Sequence, residues 1–173
     1  SMHLLSPSTH LLLVLLMPLV GAGTIWLISS RGLDAVRTSA ATTAVLTLIA
    51  TGWLILRYLM SGEASNNEVF AMASLPWLTG GMFDIRLSIG LDGLSLWLFG
   101  LSALLSVTAI FVSWEAVTER VAGFYMLLLL LEAAMLGVFV ARDIILFYVF
   151  FEFTLVPLFF LIGIWGHDER RKA

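Results

Sequence analysis

Apolar side chains run almost without interruption through five stretches, near residues 11–28, 39–60, 91–114, 123–141 and 144–165. A helix of about 20 such residues crosses the hydrocarbon core of a bilayer. The pattern predicts an all-α, polytopic membrane helix bundle of about five transmembrane helices, forming a single domain over residues 1–173. Only the connection at 61–90 is long. It starts polar and becomes apolar in SLPWLTGGMF (74–83), and it is expected to be an outer loop. Trp77 beside Pro76 suits either a short interfacial anchor at headgroup level or a loop packed on the helix ends. Asp92 precedes the third stretch, where its carboxylate can cap free backbone N–H groups and complement the helix dipole.

The few charges orient the bundle. By alternation Arg31, Arg37, Arg120, Arg170, Arg171 and Lys172 share one side, and Arg57, Arg86 and Arg142 the other. The positive-inside rule then predicts a cytoplasmic tail and an external N-terminus. The first stretch reads as a retained span and not a secretory leader, because nothing from Met2 to His10 is Lys or Arg. Composition narrows the chemistry: 60% of residues are hydrophobic, 12% are charged, and the formal charge is −3. A charge so mild and scattered argues against nucleic acid as a partner. The chain has no cysteine, so disulfides, thiolate nucleophiles and cysteine-bound iron–sulfur clusters are excluded and any electron transfer falls to a partner. His3, His10 and His167 show no i, i+4 pairing, so no metal site is proposed. No phosphate-binding loop, dinucleotide fingerprint or nucleophile elbow occurs.

Two carboxylates stand out against this background. Glu152 lies in FYVFFEFTLVPLFFLIGIWG (147–166), which contains no other charge, and Glu132 lies in the preceding stretch. Each is ten residues from Arg142, one before it and one after, which is about 15 Å of helix and close to mid-membrane. A charged carboxylate there costs roughly 2.5–3.5 kcal/mol, so such residues usually face a protein interior or a polar path. Glu132 borders a small-residue stripe, Ala133, Gly137 and Ala141, suited to close helix approach. Around Glu152, one turn away, Tyr148 offers the sole hydroxyl, and Pro157 is expected to break the helix near the acid. A carboxyl balanced between desolvation and a neighbouring cation can take up or release a proton. Glu152, and Glu132 with it, are therefore the candidate proton-transfer residues. The competing reading is a protonated, hydrogen-bonded packing residue. Arg142 and Asp143 read as a solvated turn and cap, and Arg57 as a residue that snorkels.

The segment IGLDGLSLWLFGLSALL (89–105), followed by FYMLLLLLEAAMLGVFVARDIILFYVFFEFTLVPLFFLIGIWG (124–166), resembles the chain M family of NADH-quinone oxidoreductase, the counterpart of mitochondrial chain 4 in respiratory complex I. The sharpest elements are FFEFTLVP (150–157) and Trp165-Gly166. The resemblance implies the N-terminal part of an antiporter-like fold and a proton-translocating membrane-arm subunit driven by quinone reduction elsewhere in the complex. It implies that Glu152 corresponds to a fifth-helix glutamate paired with a lysine two helices further on, and that Glu132 sits where members vary. It also implies a chain truncated before the core repeats. NADH, flavin, iron–sulfur clusters and quinone are expected on partner subunits, with no cofactor in this chain. Its partners would be other membrane-arm subunits, lipid and protons, and its place a bacterial inner membrane. A Mrp-type cation/proton antiporter or hydrogenase membrane chain shares the ancestral fold. A structural scaffold or inactive relic is the alternative of another class.

Overall fold

The computed structural model describes residues 6–61, 69–79 and 84–166, with only the backbone of 77–79, 84 and 85. The elements run α1 (Pro7–Ile28), α2 (Leu33–Ser61), β1 (Phe70–Thr79), β2 (Asp84–Leu91), α3 (Gly93–Ala116), α4 (Val121–Val140) and α5 (Ile144–Trp165). All five helices are long and apolar enough to span a membrane. The chain is an integral membrane helix bundle.

Local chemistry sets the helix starts. Ser6 caps α1, its Oγ accepting from the Thr9 amide at 3.2 Å, with Pro7 in the first helical position, where the missing N–H costs nothing. Asp92 caps α3, accepting from the Ser95 amide at 2.8 Å, as its position before the third apolar stretch suggests. Asp143 caps α5, accepting from the Leu146 amide at 2.8 Å. α2 begins at Leu33, earlier than the apolar pattern implies, because Asp34 and Arg37 interrupt hydropathy without interrupting backbone hydrogen bonding. Arg37 also donates to the Val117 carbonyl at the end of α3, 3.2 Å away.

The outer connection carries regular structure in place of an irregular loop. β1 and β2 form an antiparallel hairpin, with Ala73 opposite Ile89, Ser74 opposite Ser88 and Leu75 opposite Leu87. Its signal is the period-two alternation of Ile85, Leu87, Ile89 and Leu91, which is easily overlooked beside Pro76 and the glycines. A bulge lies between Phe70 and Ala73, and Ala71 takes a left-handed conformation there, with φ 57°. A lone hairpin is marginal in water, but this one is anchored in the bundle. Phe70, Ala71, Ile89 and Leu91 are buried with Leu11, Leu54, Tyr58 and Leu96, and the Tyr58 and Phe70 rings meet edge-to-face at 5.5 Å. The side chain of Trp77, His3, and the tail at 167–173 lie outside the described residues.

α4 is the axis of the bundle and touches all four other helices. α5 packs mainly on α4, and its one buried residue is Pro157. At Gly137 the α4 backbone lies against the Phe150 ring of α5, so this member of the small-residue stripe does admit a close neighbour. α5 is tied at both ends. Asp143 Oδ2 accepts from the Ser88 amide of β2 at 2.9 Å, and the Trp165 indole donates to the Glu119 carbonyl at 3.0 Å.

Candidate functional site

Two apolar clusters fill the core of α1–α4. One, at the hairpin end, contains Leu11, Val14, Leu54, Leu96, Phe99, Leu136 and Val140. The other, at the far end, contains Ala22, Ile25, Ala44, Ile110, Val121, Tyr125 and Leu129. Between them each helix changes character. On α2 the buried series passes from Ala44 through Thr47 and Thr51 to Leu54, and on α3 from Phe99 through Ser102 to Ile110. On α4 it passes from Leu129 through Glu132 to Leu136, and on α1 Pro18 and Gly21 stand between Val14 and Ile25. Pro18 has no N–H to offer the Val14 carbonyl.

Glu132 is 1% exposed and therefore inside this polar interruption. Neither of its carboxyl oxygens has a hydrogen-bond partner among the described residues. Buried polar groups are rarely left this way, because the cost approaches the full desolvation penalty of about 1–3 kcal/mol or more. Thr47 and Thr51 are fully buried and Ser102 is 4% exposed. Each gives its hydroxyl proton to its own helix, Thr47 to Thr43 at 2.9 Å, Thr51 to Thr47 at 2.8 Å and Ser102 to Leu98 at 3.0 Å. Their remaining capacity is to accept. These hydroxyls were missed by a reading centred on charge, although the four-residue spacing of Thr43, Thr47 and Thr51 was visible in the sequence.

Glu152 is placed differently. It lies on the exposed side of α5, among the exposed Phe151, Phe153, Leu155 and Val156. Tyr148, one turn earlier and itself exposed, shares its face of α5. Glu132 and Glu152 therefore share a depth but not a compartment, one inside the α1–α4 core and the other on the outer surface of the neighbouring helix. Pro157 does not break α5, which continues through it to Trp165. Losing one N–H removes one hydrogen bond, and the flanking turns carry the helix past it. Next to Pro157, α4 and α5 border a shallow groove lined by Leu131, Met135, Phe151, Thr154 and Leu158. Among the described residues no group of His, Cys, Asp and Glu is placed to hold a metal ion.

At the hairpin end a polar clamp joins β2, α3 and the α4–α5 turn. Arg142 Nη1 lies 3.2 Å from Asp92 Oδ2, and the Arg142 amide donates to the Ser88 carbonyl at 2.9 Å. The hydroxyl and amide of Ser95 hold the Asp92 carboxyl below the usual carboxylate range, and Arg142 adds to this. Arg142 and Asp143 are thus more than a solvated turn. Sequence spacing could not show that the strand before Asp92 returns to them.

No family model matches the chain. Curated relatives do. Subunit M of the F(420)H(2) dehydrogenase of Methanosarcina mazei is 34% identical over 161 residues, covering 93% of this chain and 31% of that protein. Subunit M of the NADH-quinone oxidoreductase of Escherichia coli K12 is 33% identical over 156 residues, covering 89% and 30%. Chain 4 of the NADH-ubiquinone oxidoreductase of Chondrus crispus is 30% identical over 161 residues, covering 93% and 32%. The chain spans about a third of the length of these relatives. Among solved structures, a chain of the membrane-bound sulfane sulfur reductase, an archaeal respiratory membrane complex, aligns with a TM-score of 0.56 at 21% identity. That alignment covers 86% of this chain and 22% of the other, and it shows a shared fold.

Proposed function

We propose, taking as premise that this chain is a relative of the subunit M and chain 4 proteins, that it is part of an antiporter-like membrane-arm subunit coupling quinone reduction to proton transfer. The observation that carries this reading is Glu152, a carboxyl at the middle of a membrane-spanning helix that the other described residues leave exposed. A charged group facing lipid at that depth is expensive, so its face of α5 is a contact surface for further helices or partner subunits. A basic side chain from such a neighbour would share the proton, with Tyr148 within helical reach of the acid. The oxidoreductase chemistry belongs to partners that carry NADH or another donor, flavin, iron–sulfur clusters and quinone. Relatives named for NADH and for F(420)H(2) match about equally well, which fits a donor chosen by those partners. The residues present here support proton handling, not electron transfer, since no cysteine exists to ligate a cluster. A bacterial inner membrane, an external N-terminus and a cytoplasmic tail complete the reading, with Glu132 as a second and separate proton-holding group.

Glu152→Gln tests it in the complete subunit within its assembled complex. The variant keeps size and polarity and loses the titratable proton. Assembly and quinone reduction by uncoupled membranes should persist, while proton transfer per electron falls by an order of magnitude. Normal pumping by the assembled variant would refute the role of Glu152.

A further inference from the structure

We infer that the polar interruption around Glu132 is an internal water-binding site, closed off by the two apolar clusters and independent of the Glu152 face. Three contacts fix how the helices align in depth. Ser113 on α3 lies 3.4 Å from Tyr125 on α4, Gly100 on α3 lies beside Ile55 on α2, and Gly21 on α1 lies against Thr43 on α2. Counting along the antiparallel helices from these contacts brings Thr47 of α2, the half-buried Ser106 of α3 and the Val14–Pro18 turn of α1 to within about one turn, roughly 5 Å, of the depth of Glu132. Thr47, Val14 and Glu132 all point inward, at 0%, 0% and 1% exposure, and α4 contacts α1, α2 and α3. They therefore fall in one buried layer between the two apolar clusters.

The chemistry of that layer is lopsided. Thr47 has spent its proton on Thr43, the Val14 carbonyl has lost its usual donor to Pro18, and both Glu132 oxygens are unpartnered among the described residues. Apart from the half-buried Ser106, whose hydroxyl gives its proton to no described group, what remains is acceptors. Acceptors cannot satisfy one another, and even a protonated Glu132 would bring one donor to several of them. Water brings two donors and accepts in return. It also needs two to four polar partners to stay buried, and the residues at this depth supply that number. The small Ala133 and Ala134 that follow Glu132 are buried beside it. The apolar clusters above and below make the layer a closed compartment, whereas the α5 face awaits another protein surface.

The test is a high-resolution structure of the complete subunit in its native complex, with infrared difference spectra in ordinary and oxygen-18 water. Ordered water within hydrogen-bond distance of Glu132, with an isotope-sensitive internal-water band that moves in Thr47→Val and disappears in Glu132→Leu, is the expected result. Should a variant fail to assemble, the wild-type density and isotope shift still decide. A dry carboxyl, a direct bond from Glu132 to a protein side chain, or a site that fills only when sodium is added would each overturn the inference. Proton pumping is read separately through Glu152→Gln, so loss of either conclusion leaves the other standing.

Discussion

Gly137→Ala is the sharpest test of how α5 is held. A methyl group on Gly137 would enter the space of the Phe150 ring and meet the body of the ring, not a flexible tip. Phe150 would have to leave its place against Gly137, and with it a close contact of a helix whose one buried residue is Pro157. Overpacking of this kind costs about 1–3 kcal/mol. Gly163 on α5 provides the control, because nothing lies within 4 Å of a methyl group added there. Equilibrium unfolding of the complete subunit in mixed micelles would give the cost, and Phe150→Leu would complete a double-mutant cycle. The smaller, flexible leucine should recover at least half of the loss, giving a coupling of about 0.5–3 kcal/mol. Gly137→Ala that is as mild as Gly163→Ala, or strictly additive with Phe150→Leu, would show that Gly137 and Phe150 do not define the α4–α5 seam.

The clamp at the hairpin end yields two further expectations. Asp143→Ala should cost about 1–2 kcal/mol in the same unfolding assay, because it removes the α5 cap and the acceptor for the Ser88 amide together. Arg142→Ala should cost no more than about 1 kcal/mol, since its pair with Asp92 is 33% and 45% exposed. An equal loss in both would contradict this ranking. Folding lowers the affinity of Asp92 for its proton, so its stabilising effect is present above the unfolded-state carboxylate range and lost as pH falls through the lower folded value. The stability difference between wild type and Asp92→Ala should therefore hold at neutral pH and shrink only below the ordinary carboxylate range. A difference that is constant down to strong acid would refute the account.

Hydropathy alone located the five spans, because removing backbone from water forces each apolar stretch into a helix whatever its neighbours do. Asp92 and Asp143 could be read as caps for the same local reason. The hairpin was harder to see, since a two-stranded ribbon acquires stability from Phe70 and Leu91 entering a core built by residues far away in sequence. Chain order likewise gave Glu132 and Glu152 a common depth but no azimuth. Rotation about a helix axis is set by packing, and packing turned Glu132 inward to 1% exposure while Phe150, seated on Gly137, left Glu152 facing outward. Sequence determined which groups could hold a proton in the membrane. The tertiary structure decided that they occupy separate compartments, because the direction of a side chain is a property of contacts between helices and not of the helix that carries it.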